Sequence, residues 1–157
     1  MRKFSFLFIC LFFAIAASAQ VTVKNVLCEY LQNPIGIDIA QPRFSWQLQS
    51  DRRNVQQTAY ELVINNTAAG GRNAIWNSGK VNSSQSVHVR YAGPALQSGK
   101  RYFWQVRVWD NTGKVSAWSE PAYWEMGLLQ ESDWKAKWIA PGYAEDSVLR
   151  QIGRAHV

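Results

Sequence analysis

Apolar and polar residues alternate along most of this chain, in short runs set apart by turn-forming residues. In RFSWQL, Phe44, Trp46 and Leu48 fall on one side and Arg43, Ser45 and Gln47 on the other. AYELVIN sets Tyr60, Leu62 and Ile64 on one face, and SVHVRY does the same with Val87, Val89 and Tyr91. YFWQVRVW aligns Tyr102, Trp104, Val106 and Val108, and YWEMGLL offers Trp124 and Met126. A period of two is the pleat of a strand with one buried face. The breaks contain Gly70-Gly71, Asn77-Ser78-Gly79, Ala92-Gly93-Pro94, Ser98-Gly99 and Asn111-Thr112-Gly113, residue types that turns require. The stretch NPIGIDIAQPRFSW reads as a connection into a strand. Asn33-Pro34 favours a turn, Gly36 frees the backbone, and Pro42, which cannot donate to a ladder, suits a strand's first position. Asp38 and Arg43 are expected to pair across this connection.

No segment keeps a three-four apolar repeat, so no core helix is expected. VTVKNVLCE at one end and a short strand in AIWNSGKV bring the expected strands to about seven. The fold class is therefore all-β, an immunoglobulin-like sandwich. The usual cysteine pair is missing. Leu96 followed by Tyr102 has the spacing of a tyrosine corner, in which a phenol bonds backbone at the turn before the sixth strand. A fibronectin type III-like sandwich fits best.

The two ends do not share this pattern. Arg2 and Lys3 precede an uncharged apolar run, Phe4 to Ala16, and Ala17-Ser18-Ala19 supplies a small-x-small cleavage site. Residues 1–19 are read as a signal peptide with cleavage before Gln20. The alternative, a membrane anchor, needs about 20 apolar residues, more than the run offers, and Cys10 lacks the small residue before it that a lipoprotein site needs. An exported protein, periplasmic or extracellular, is expected. QIGRAHV, residues 151–157, translates CAGATCGGAAGAGCACACGTC, most of which resembles a sequencing-library adapter. The native protein is therefore expected to continue past about Arg150. The sandwich is placed at 20–129, with 130–150 a linker and the start of a second β-sandwich domain.

These ends change the charge. Of 17 basic and 11 acidic residues, Arg2, Lys3 and Arg154 belong to them, and the rest nets only +3 with its basic side chains scattered. A nucleic-acid footprint needs clustered Lys and Arg on one face, so no nucleic-acid partner is expected. Without the leader only Cys28 remains, which allows no intrachain disulfide and suggests a small buried hydrophobe. All eight Trp lie after residue 19, a composition that favours strands.

Candidate chemistry is sparse. His88, on the polar side of its strand, is expected to be solvated, and His156 lies in the suspect tail. Neither a zinc set nor a Ser/His/Asp arrangement can be built, and no phosphate-cradling glycine loop is present. The carboxylates Glu29, Asp38, Asp51, Glu61, Asp110, Glu120 and Glu125 are expected mainly in turns or on outward faces, and nothing selects a glycosidase pair among them. No catalytic, cofactor-binding or metal-ligating residue is assigned. The candidates for carbohydrate contact are Trp109, on the outward face of the sixth strand with Phe103, Gln105 and Arg107, and Trp118, near the start of the last strand with Tyr123. SAWSE resembles half of the Trp-Ser ladder of some receptor sandwiches, in which guanidinium groups stack on indoles for about 0.5–1 kcal/mol each. A sugar-stacking platform and a cation–π ladder are the two readings, and the ladder is favoured.

The ordered set CEYLQNPIGID, PRFSWQLQSDRRNVQQTAYELVI, IWNSGKV, YFWQVRVWDNTGKVSAWSE, WEMGLL and DWKAKWI resembles the N-terminal region of bacterial α-L-rhamnosidases, over about Val23 to Ile139. The resemblance implies a large multidomain glycoside hydrolase whose inverting catalysis sits in an (α/α)₆ barrel beyond Arg150. It implies an accessory sandwich here, with the downstream domains of the same polypeptide and rhamnose-containing glycans as partners. The other reading is a free-standing exported binding or adhesion module with this fold.

Overall fold

The computed structural model describes residues 21–68, 74–137 and 139. The expected leader, Gly70-Gly71 and the tail lie outside them. Among the described residues, seven strands form two antiparallel sheets: β1 (Thr22–Cys28), β2 (Arg43–Gln49), β3 (Gln57–Asn65), β4 (Trp76–Asn77), β5 (Val89–Arg90), β6 (Arg101–Asp110) and β7 (Ala122–Glu125). One sheet has the order β1-β2-β5 and the other β4-β3-β6-β7. The all-β immunoglobulin-like sandwich read from the alternation is the fold observed.

The core lies between the sheets and is aromatic. Phe44 of β2 reaches across to Trp104 of β6, ring centroids 4.6 Å apart, and to Trp124 of β7 at 5.3 Å. Tyr102 stacks on Trp124, ring centroids 5.2 Å apart. Such pairs add about 0.5–1.5 kcal/mol each beyond the area they bury, so rings join β2 to β6. Trp46 packs on Tyr60 at 5.3 Å. Its indole N–H donates to Gln57 Oε1 at 2.9 Å, and the Gln57 amide donates onward to the carbonyls of Ser83 and Gln85. A buried polar tip is thus satisfied rather than stranded. Cys28 is fully buried, as a small hydrophobe should be, and burial pushes its thiol well above the usual range. The Tyr102 hydroxyl accepts the Gln97 backbone N–H at 2.9 Å beside buried Leu96, which is the expected corner.

Three expectations change. Val87 does not join Val89 and Tyr91 in the core but is exposed. His88 has φ +56°, a left-handed conformation that reverses the alternation, and the strand proper is only Val89–Arg90. The freed groups find other partners: Trp46 N–H donates to the Ser86 carbonyl, and His88 N–H to Ser45 Oγ. His88 itself is exposed, edge-on to Tyr30.

Arg43 does not pair with Asp38. Its guanidinium holds Glu29 at 2.6 Å, and Glu29 also accepts the Arg43 backbone N–H at 2.6 Å. The end of β1 lies beside the start of β2, since Cys28 pairs with Phe44, so Glu29 is the acid within reach. This guanidinium holds the Glu29 carboxyl below its ordinary value.

Glu61 and Asp110 are buried rather than solvated. β3 is the second strand of a four-stranded sheet and is covered on both faces, so its outward position must be paired rather than solvated.

Candidate functional site

The sequence placed Trp109 on the outward face of β6 and Trp118 near the start of the last strand, and the local chain explains how they meet. β7 pairs only with Arg101–Trp104, which leaves the N–H and C=O groups of Val106 and Val108 along an open edge. An open edge invites foreign strands. The segment Ser116–Ser119 closes it. Ser116 N–H donates to the Val108 carbonyl at 2.8 Å, and Ser116 Oγ accepts the Val108 N–H at 3.0 Å. Ser119 repeats this on Val106, at 2.8 and 3.1 Å. Two buried serines therefore satisfy four backbone groups, and Trp118 projects between them.

Arg107 lies between the two indoles. Its guanidinium carbon is 4.6 Å from the ring centre of Trp118 and 5.3 Å from that of Trp109. Lys80 Nζ sits 4.8 Å from the Trp109 ring. Glu61, directly opposite Arg107 on β3, holds the guanidinium through Nε at 2.8 Å and Nη2 at 2.6 Å. The other Glu61 oxygen accepts from Asn77 Nδ2 at 3.0 Å. Further along, Arg101 covers the Tyr123 ring at 4.6 Å and pairs with Glu125 at 2.9 Å. Aromatic faces on this surface are thus occupied by cations, and Arg107 and Arg101 are each set by a carboxylate on a neighbouring strand.

Trp109 is half-buried, whereas Trp118 keeps 37% of its surface exposed. A shallow cleft of about 170 Å³, lined by Thr22, Lys24 and Glu120 among others, lies beside Trp118. Enclosed small-molecule sites run from roughly 300 to 1,000 Å³. The wider hollow of about 390 Å³ beside Ile39, Arg43 and Arg90 is open to solvent.

Two further carboxylates have structural partners. Asp110 accepts from Thr112 N–H at 2.9 Å, Thr112 Oγ1 at 2.6 Å, Lys114 N–H at 3.0 Å and the Arg52 guanidinium. The Thr112 hydroxyl, followed by Arg52 and the two amides, lowers its carboxyl to about 2. Asp133 accepts from the Ser98 hydroxyl and the Gln130 N–H. Among the described residues no group of His, Cys, Asp and Glu could hold a metal ion.

Sequence reasoning found the two indoles and Arg107 but not Glu61, Lys80 or the serine hydroxyls as their supports. The serines carried a signal, the spacing of SAWS beside a valine strand. Glu61 carried none, because its partner lies 46 residues away.

The family model described as the Rha78A-like, N-terminal immunoglobulin domain matches residues 23–130. An α-L-rhamnosidase of Streptomyces avermitilis is 50% identical over 125 residues, covering 79% of this chain and 12% of that protein. One from Formosa agariphila is 42% identical over 123 residues, 73% of this chain and 12% of its own. The crystal structure of the Streptomyces avermitilis α-L-rhamnosidase complexed with L-rhamnose superposes with a TM-score of 0.74 at 47% identity, over 76% of this chain and 12% of that one. The chain thus spans about one-eighth of the length of these relatives. It belongs to the Rha78A-like N-terminal immunoglobulin domain family.

Proposed function

We propose that this chain is the accessory N-terminal sandwich of an exported α-L-rhamnosidase, which removes terminal rhamnose from glycans by an inverting mechanism in a catalytic barrel that follows in the same polypeptide. The observation that carries this reading is 50% identity concentrated in the 12% of a rhamnosidase that this domain matches. A fibronectin type III-like subclass suits the fold, given the missing cysteine pair and the tyrosine corner at Tyr102. The sandwich contributes rigid packing for its neighbours, and the carboxylates described above hold strands and turns together. The chemistry belongs to the catalytic region, since function resides in sites rather than in a fold.

The test is to read the genomic locus across codon 150 and express the whole encoded polypeptide. Several hundred further codons with helical-barrel patterning, and release of the aryl group from an aryl α-L-rhamnoside, are expected. Purified residues 20–150 are expected to release none. An early stop in the locus would support a free-standing exported binding module instead, and hydrolysis by residues 20–150 alone would overturn the accessory role.

A further inference from the structure

The way the chain leaves the sandwich points to what lies against it. Beyond β7 the backbone is held from two sides. Met126 N–H donates to the Lys100 carbonyl and Gly99 N–H to the Gly127 carbonyl, while Gly127 N–H donates to the Ile37 carbonyl at 2.7 Å. Ile37 and Met126 form a parallel bridge, with Pro34 and Glu125 bonded just before it. The segments can sit this close because both carry glycine. Gly36 has φ +77°, and a Cβ on Gly127 would lie 3.1 Å from the Gly36 carbonyl oxygen.

The next residues are also fixed. Ser98 Oγ accepts the Leu129 N–H at 3.0 Å and donates to Asp133, which ends the short 3₁₀ turn Glu131–Asp133 and accepts the Gln130 N–H. The exit as far as Trp134 is therefore a bracket tied to the sandwich.

This bracket displays apolar side chains. Ile39 and Leu128 each lie two residues past the bridged Ile37–Met126 pair on adjacent parallel segments, and they are 42% and 46% exposed. Ile35 stands just before the bridge, more exposed still, and Trp134 closes the bracket at 61%. Large apolar side chains left exposed on segments that the backbone ties together mark a contact. The occupant is indicated by chain continuity: the bracket ends at Trp134, Lys135, Ala136 and Lys137 beyond it are exposed, and the sequence runs on past Ile139.

We propose that the strip Ile35, Ile39, Leu128 and Trp134 is the docking face for the polypeptide that follows residue 139, and that the Ser98–Asp133 bracket sets the angle at which that following domain sits. This rests on the reading that the protein continues as a multidomain enzyme, and it adds which surface the continuation covers. The contact is of the inter-domain kind, and a rigid exit lets a modest interface hold a defined orientation.

Hydrogen exchange on the whole encoded polypeptide tests this. Peptides 34–39 and 127–134 are expected to exchange at least tenfold more slowly than the exposed turn 111–113. The double variant Ile39→Lys with Leu128→Lys is expected to abolish most of that difference, and Val87→Lys, at an exposed site elsewhere, to leave it intact. Ser98→Ala should raise protease cutting between 134 and 150. The proposal is overturned if peptides 34–39 and 127–134 exchange as fast as the turn, or if the double variant leaves their protection unchanged. Protection that appears only as concentration rises, with a dimer in light scattering, would assign the strip to a second copy and overturn it too. Rhamnoside hydrolysis is read on the same samples. An active enzyme with a fast-exchanging strip sinks the docking face alone, whereas an inactive polypeptide with a protected strip sinks the enzyme assignment alone.

Discussion

Arg107 stands opposite Glu61 across the β3–β6 ladder, and its guanidinium meets that carboxylate at 2.6 Å while resting 4.6 Å from the ring of Trp118. One side chain thereby joins two strands and the serine segment that covers the β6 edge. The pair is only partly sheltered on the arginine side, so its weight comes from the whole cluster and not from the ion pair alone.

Arg107→Ala leaves the buried Glu61 without its main partner, and a loss of about 1–2 kcal/mol in urea unfolding is expected. Arg107→Lys should recover only part, since an ammonium cannot bond through two planar nitrogens. Trp118→Ala should lower the melting temperature through the lost stack, with rhamnose or glycan binding by calorimetry unchanged. Lost binding at unchanged stability would instead restore the sugar-stacking platform at Trp109 and Trp118.

Ser119→Ala strands the Val106 N–H, and Ser116→Ala the Val108 N–H, each in a buried place. About 1–3 kcal/mol per substitution is expected, the cost of an unsatisfied buried donor. Denaturant midpoints at constant slope provide the check, and a shift below the scatter of repeat titrations would show that water replaces the hydroxyl.

Asp110 sets an acid limit. Its carboxyl ionises near 2 in the fold against 3.8 ordinarily, chiefly through the Thr112 hydroxyl. A lowered pKa means that the folded state binds the proton less well than the unfolded chain does. Its contribution is therefore present above about pH 4 and is lost as pH falls from there toward 2. Asp110→Asn should reduce stability at neutral pH and flatten the fall between pH 4 and pH 2 in thermal melts. An acid limb as steep as in the parent protein would refute this role.

Cys28 should resist alkylation. Burial pushes its thiol upward, so almost no thiolate exists at pH 8 in the fold. Labelling by iodoacetamide should be at least a hundredfold slower than in urea. Rapid native labelling would mean that the β1 end opens readily.

Much of the core was legible before any coordinates. Phe44, Trp46, Leu62, Ile64, Val89, Trp104, Val106 and Trp124 are buried as the alternation required. Burial in a strand follows from the pleat, and the pleat is local. Val87 failed for a local reason that leaves no mark in polarity, the left-handed backbone at His88. The candidate surface was half legible. Trp109, Trp118 and Arg107 share a stretch of 12 residues, so their proximity follows from one strand and the turn after it.

By itself the sequence determined the period of two, the turns, the tyrosine corner and hence the sandwich, because each depends on residues near one another in the chain. The tertiary structure alone decided the partners. It gave Arg43 to Glu29 instead of Asp38, set Glu61 against Arg107, placed Lys80 over Trp109 and tied Ser98 to Asp133. Those choices depend on strand register across long loops, where a shift of one residue turns every side chain to the other face. No local pattern encodes that register.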